Sequence, residues 1–293
     1  MTRNFIISIC LTFLLLSIPG CGPDSSEQAK KGDKAEVRYL AIKGSDTMVH
    51  LVSAWAEEFM KLHPGVELSV TGGGSGTGIA GLINGTTDIC ASSRKIQDKE
   101  RELAVKRTID PVEFKVALDG IGVIVHPENR VGILSLAQLQ DIFTGKTTNW
   151  QEVGGIDQPI LVFSRESSSG TYVFFQEHVM DRQDYTPRAR LLPGTSALVQ
   201  GVSSDRGAIG YVGLGYIKEV AEKVKAISIK GEGKAEAIAP SEQTVTDGSY
   251  PIARPLFLYT NGQPQSTVKE FVDFALSESG QKIVRDSGYV MMF

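Results

Sequence analysis

The stretch that most constrains this chain joins an apolar run to a helical one through a turn of small and hydroxyl residues. Pro159-Ile160-Leu161-Val162-Phe163 has the continuity of a buried strand. Ser164-Arg165-Glu166-Ser167-Ser168-Ser169-Gly170-Thr171 follows, and Tyr172 to Met180 then reads as a helix. Ser169, Gly170 and Thr171 therefore stand at a helix start, where side-chain oxygens cap free backbone N–H groups. Those N–H groups and the helix dipole also favour an anion. Arg165 adds a permanently charged fork that matches two oxygens of an oxyanion. Taken alone, the stretch has a second reading, an ordinary capped helix beside a surface arginine.

The same design occurs twice upstream. Val37 to Ile42 reads as a strand and Lys43-Gly44-Ser45-Asp46-Thr47 as a loop. Met48, Leu51, Val52, Trp55, Phe59 and Leu62 then share one helix face, and Pro64-Gly65 ends it. Val66 to Val70 alternates as a strand; Thr71-Gly72-Gly73-Gly74-Ser75-Gly76-Thr77-Gly78 opens a short helix that Asn84-Gly85 stops. Ile89 to Ser92 begins a third strand. Strand, loop and helix in repetition predict an α/β fold with a largely parallel sheet. Ligands of such folds bind in the loops that leave the strands. Further strands are expected at Gly120–Val125, Gly207–Val212 and Arg254–Tyr259, and helices at Leu136–Phe143 and over Val268–Leu276.

The N-terminus reads as a leader. Arg3 precedes an apolar run, Phe5 to Ile18, too short to span a bilayer comfortably. It ends in Ile18-Pro19-Gly20-Cys21, which resembles a lipoprotein cleavage site, so Cys21 is expected to carry lipid; a plain secretory signal is the alternative. Gly22 to Glu36 is polar and reads as a tether. Of three cysteines only Cys90 then stays in the folded part, so no internal disulfide is expected. The 293 residues are 41% hydrophobic, enough for two domains, and a net charge of −4 without a basic stripe argues against nucleic acid.

Enzyme chemistry finds little support. Gly76-Thr77-Gly78-Ile79-Ala80-Gly81 is a literal G-x-G-x-x-G, but an exported chain has poor access to NAD, and no acidic residue ends a following strand at the usual distance. No G-x-S-x-G nucleophile turn occurs, and His50, His63, His126 and His178 lack metal-ligand spacing. What remains is three helix starts rich in N–H and hydroxyl donors. They suit a dehydrated tetrahedral oxyanion, whose oxygens each need two or three donors in place of water. Glycines let the backbone come close to it.

The chain also resembles the phosphate-binding proteins of bacterial high-affinity phosphate ABC transporters. The resemblance runs from about Val37 to the C-terminus. It rests on Gly-Ser-Asp-Thr-Met at 44–48, Gly-Gly-Gly-Ser-Gly-Thr-Gly at 72–78, Asp-Ile-Cys-Ala-Ser-Ser-Arg at 88–94 and Arg-Glu-Ser-Ser-Ser-Gly-Thr at 165–171. Gly-Ala-Ile-Gly-Tyr-Val at 207–212 and Tyr-Pro-Ile-Ala-Arg-Pro-Leu at 250–256 also match. It implies a two-lobed periplasmic-binding-protein fold with two crossover strands, lobe I over 37–119 and 255–293 and lobe II over 120–254. It also implies inorganic phosphate between the lobes, an ABC permease and its ATPase as partners, and a lipid-anchored monomer on the outer face of a membrane. No cofactor and no catalytic role are expected.

Carried over by motif, the phosphate ligands are Thr47, the Met48 N–H, Ser75, Arg165, Ser169, the Gly170 N–H and Thr171. The better-known members have an aspartate at the position of Ser93, to accept the phosphate hydrogen, and an acidic partner for the arginine at the position of Ser167. Both are serine here. Asp46 is the candidate acceptor, with helix capping as its other reading, and Glu166 is the candidate partner for Arg165. The change at Ser93 keeps sulfate open as the anion. A phosphate-sensing or adhesive surface lipoprotein is the remaining alternative.

Overall fold

A computed structural model describes residues 37–293; the leader, Cys21 and the tether to Glu36 lie outside them. Strand β1 (Arg38–Gly44), one 3-10 turn (Asp46–Met48), α1 (Val49–Leu62), β2 (Val66–Thr71), α2 (Ser75–Ile83), β3 (Ile89–Ser92) and α3 (Asp98–Lys106) come first. The long β4 (Pro111–Val125) leads to β5 (Ile133–Ser135), α4 (Leu136–Thr144), β6 (Leu161–Arg165), α5 (Gly170–His178), β7 (Arg190–Leu192) and α6 (Thr195–Ser203). Then follow β8 (Ala208–Gly213), α7 (Leu214–Val220), β9 (Lys225–Ala226), β10 (Ser228–Lys230), β11 (Ala237–Ile238) and α8 (Glu242–Thr246). The chain closes with β12 (Ala253–Asn261), α9 (Ser266–Leu276) and α10 (Glu278–Asp286).

The first strands are parallel, as the βα alternation predicts: β1 pairs with β2 on one side and β3 on the other. The large sheet then runs β2-β1-β3-β12-β4-β8-β6-β7, with β9 also on β4. Its middle is antiparallel, and this mixing departs from the largely parallel expectation. β12 returns from the far end of the chain and lies antiparallel to both β3 and β4. β4 pairs with β12 as far as Gly120 and with β8 from Ile121 onward. One strand thus serves two halves of the sheet.

The apolar residues divide accordingly. Leu40, Ile42, Trp55, Phe59, Ile89, Leu258 and Phe271 form one core. Ile121, Val123, Phe143, Trp150, Phe175 and Tyr211 form another. Each core has a buried tryptophan whose Nε1–H is satisfied by a carbonyl. Trp55 donates to Gly280 O at 2.8 Å, which docks α10, and Trp150 donates to Gly207 O at 2.9 Å. Burying an indole costs little when its N–H finds such a partner.

Strand β6 sits two residues later than Pro159–Phe163 predicts. Pro159 makes only an isolated bridge to Asn149, so the ladder begins beyond it, and Arg165 becomes the last residue of the strand.

Candidate functional site

Three segments meet where the two halves face each other: the 3-10 turn before α1, the start of α2 and the start of α5. Six hydroxyl residues line the meeting point, Ser45, Thr47, Ser75, Ser93, Ser169 and Thr171, and none is more than 3% exposed. Apart from that of Ser169, their oxygens bond to one another. Thr47 Oγ1 and Thr171 Oγ1 are 2.8 Å apart, across the two halves. Ser45 Oγ donates to Ser93 Oγ at 2.8 Å, and Ser75 Oγ lies 3.3 Å from Ser93 Oγ and accepts the Ser93 N–H at 3.0 Å. Ser169 caps α5, its Oγ accepting from the N–H groups of Thr171 and Tyr172.

The approach is close because glycine stands at the contact points. Gly74 has φ +96°, and a Cβ there would lie 2.4 Å from the Ser168 carbonyl oxygen. Gly76 N–H donates to that same oxygen at 2.9 Å, tying α2 to the turn before α5. At Gly170 a Cβ would meet Ser75 Oγ at 2.3 Å and Ser93 Oγ at 2.7 Å. Gly170→Ala should therefore push the helix starts apart and lower anion affinity at least tenfold, while the melting temperature moves little. Calorimetric titration beside a thermal melt checks this; an unchanged dissociation constant would show that the two starts need not touch.

Arg165 is 2% exposed and already well bonded. Its Nε donates to Leu192 O, Nη1 to Thr195 Oγ1, and Nη2 to Pro193 O and to Asp46 Oδ2 at 2.6 Å. Asp46 is thus the acidic partner of the arginine, contributed by the opposite half of the sheet. Glu166, expected in that role, is exposed and makes no bond to Arg165, since β6 ends at Arg165 and turns the next side chain outward. The other oxygen of Asp46 accepts the Gly73 N–H at 2.9 Å. Asp46 caps no helix, and each of its carboxylate oxygens has one partner, which leaves acceptor capacity on both for the hydrogen of a bound anion. Met48 differs as well. Its N–H donates to Ser45 O at 2.9 Å inside the 3-10 turn, so that donor is engaged.

Sequence reasoning missed two members of the cluster, Ser45 and Arg254. Arg254, from β12, donates to Thr171 Oγ1 at 3.0 Å and to Asp119 Oδ2 of β4 through Nη2 at 3.0 Å and Nε at 3.2 Å. The two residues face each other in the ladder that joins the halves. Burial pushes the Asp119 carboxyl up and the Arg254 guanidinium down from their ordinary ranges, and the opposite charge draws each back. Arg254 could have been suspected from Tyr-Pro-Ile-Ala-Arg-Pro-Leu, where a charge interrupts a strand otherwise apolar on both faces. Among the described residues no cluster of His, Cys, Asp or Glu could hold a metal ion. The arrangement is a set of hydroxyl and guanidinium donors with few acceptors to spare, which is the chemistry of oxyanion capture.

Two halves joined by the antiparallel strands β4 and β12, with polar helix starts turned toward each other, define a two-lobed solute-binding protein, and residues 29–279 match the PBP superfamily domain. The phosphate-binding protein PstS of Staphylococcus haemolyticus is 35% identical over 92% of this chain and 86% of its own. That of Bacillus subtilis is 34% identical over 98% and 94%. Among solved structures, a Clostridium perfringens substrate-binding protein with bound phosphate superposes with a TM-score of 0.78, at 32% identity over 87% of this chain and all of that one. An ABC-type phosphate transport receptor from Vibrio cholerae gives 0.69, at 31% identity over 86% and 99%. The chain belongs to the family of PstS phosphate-binding proteins within the PBP superfamily.

Proposed function

We propose that this protein binds inorganic phosphate outside the cytoplasm and delivers it to an ABC importer, with no catalytic step of its own. The observation that carries this reading is the convergence of six buried hydroxyls from two halves of the molecule beside Arg165. A bound anion would exchange hydroxyl–hydroxyl bonds such as Thr47–Thr171 for hydroxyl–oxyanion bonds. Hydrogen bonds to an ionised acceptor are roughly twice as strong as neutral ones. The anion would therefore favour the state in which the halves are together. The ligand set is that of the motifs, Thr47, Ser75, Arg165, Ser169, the Gly170 N–H and Thr171, without the Met48 N–H, which Ser45 O engages, and with Ser93 added from the hydroxyl cluster; Asp46 holds Arg165. Lobe boundaries near 119/120 and 254/255 fit the division of the two cores and place Asp119 and Arg254 at the crossover.

Ser93 favours keeping sulfate as a second reading. A carboxylate at that position would repel sulfate, whereas a serine hydroxyl can donate or accept. Sites that rely on a single required hydrogen bond reject analogues lacking it by about 10⁴–10⁵; a hydroxyl acceptor should discriminate less. Calorimetric titration with phosphate and sulfate tests the function. Phosphate should bind at one site and more tightly than sulfate, and sulfate binding as tight as phosphate, or no phosphate binding, would overturn it.

The importer partners, a permease and its ATPase, are proposed from the PstS family. So are attachment through lipidated Cys21 and a monomeric state, the former supported by the Gly20-Cys21 pattern after a short apolar run. No helix among the described residues is long and apolar enough to cross a membrane. Mass spectrometry of the mature protein should find a lipidated N-terminal cysteine at 21; an unmodified mature N-terminus would reject the anchor.

A further inference from the structure

The hydroxyl cluster is closed off, but a cavity of about 880 Å³ opens beside it, between α5 and the segment from Arg94 to Lys99. Five cationic side chains line it, Arg94, Lys95, Lys99, Arg182 and Arg254, against the carboxylates of Asp98 and Glu177. Phe174, Phe257 and Ile96 supply apolar wall. The cations outnumber the carboxylates in the lining, and low-dielectric walls concentrate the field of such an excess in a cleft.

Two of these arginines are deeply set, Arg94 at 6% exposure and Arg254 at 2%. Each is held by a carboxylate, Arg94 by Glu100 at 2.7 Å and Arg254 by Asp119 at 3.0 Å. Each also keeps one buried nitrogen without a partner, Nε of Arg94 and Nη1 of Arg254. No other buried side-chain nitrogen or oxygen among the described residues lacks one. An unmet buried donor is costly, and more so on a charged group; an anionic acceptor would relieve that cost. Both arginines also adjoin the hydroxyl cluster. Arg254 donates to Thr171 Oγ1, and Arg94 Nη2 stands 3.5 Å from where a Cβ on Gly76 would lie, at the start of α2.

We propose that this cavity is an entry site, at which inorganic phosphate docks on Arg94 and Arg254 before passing to the hydroxyl cluster. The proposal rests on the phosphate-binding reading above. The exposed Lys95, Lys99 and Arg182 draw the anion in, and the two buried arginines hold it next to Thr171 and Gly76.

Stopped-flow measurement of phosphate association on the folded protein tests this with the triple variant Lys95→Gln/Lys99→Gln/Arg182→Gln. All three positions are exposed, so the fold should tolerate the change. The association rate constant should fall about tenfold at low ionic strength, with the dissociation rate nearly unchanged. The difference should shrink toward nothing near 1 M salt, where screening acts over roughly 3 Å. Glu177→Gln should act in the opposite direction. A control of equal charge away from the cavity, Lys61→Gln/Lys106→Gln/Lys230→Gln, should stay within about twofold of the parent, well short of the steering effect. Association rates that are equal in the triple variant and the parent, or lowered as much by the control, overturn the entry site and leave the phosphate reading standing. A parent protein that binds no phosphate at equilibrium overturns both.

Discussion

Arg165→Ala is expected to weaken phosphate binding by about 2–5 kcal/mol, the usual loss when one partner of a buried charged contact is removed. That corresponds to about 30-fold to several thousand-fold in the dissociation constant. Of its five N–H groups, four have protein partners, so one hydrogen on Nη1 is left to donate. The larger part of its contribution is then the positive charge itself, fixed where hydration is poor. Arg165→Lys separates the two. It keeps a charge but cannot span Leu192, Thr195 and Asp46 at once, so its loss should be intermediate. Calorimetry gives the constants and a thermal melt confirms folding, since both variants remove the guanidinium that Asp46 accepts from. An Arg165→Ala protein that is folded and binds phosphate within threefold of the parent would remove Arg165 from the site.

Asp119→Ala should be the most destabilising single change of those considered. It leaves the Arg254 guanidinium buried beside an apolar wall, and it also frees the Leu214 N–H, which Asp119 Oδ1 accepts at 2.9 Å. Removing one member of a buried pair costs about 3–5 kcal/mol. For a chain of this size that lowers Tm by roughly 6–20 °C. Removing both charges is a different matter. Asp119→Ala/Arg254→Met should recover much of the lost Tm, because no uncompensated charge then remains. Scanning calorimetry decides between these outcomes, and a single variant that melts within about 2 °C of the parent, below the span expected for a broken buried pair, would mean that solvent reaches the pair.

The parts of the fold that could be read in the sequence are those where pattern and position agree. β3 falls on Ile89–Ser92 as expected, and α1 follows the spacing of Leu51, Val52, Trp55 and Phe59. Helix α3 escaped because Asp98 to Lys106 has no apolar stripe: only Ala104 is buried, and a capping box between Gln97 and Glu100 holds its start. The first half of β4 escaped because Val112, Glu113, Phe114 and Lys115 are half-buried or exposed and do not form an apolar run. The second C-terminal helix, α10, has only Ile283 and Val284 as large apolar residues to announce it.

At the site, hydroxyl and glycine clusters at helix starts were visible because capping chemistry is local. The Asp46–Arg165 pair was not, because its members are 119 positions apart and nothing in either segment names the other. Local order favoured Glu166, next to the arginine in sequence; strand geometry sends successive side chains to opposite faces and so rules it out. The partners of Arg254 were hidden for the same reason, since its contacts with Asp119 and Thr171 exist only once β12 has returned to the sheet.

The central claim is that one anion is held where the three helix starts meet. A crystal structure of the protein grown with millimolar phosphate and without sulfate tests it most directly. The account predicts a single tetrahedral anion within hydrogen-bond distance of Thr47, Ser75, Ser169 and Thr171, with the Thr47–Thr171 contact replaced by bonds to its oxygens. Phosphate bound elsewhere, with the Thr47 and Thr171 hydroxyls still bonded to each other, would contradict it.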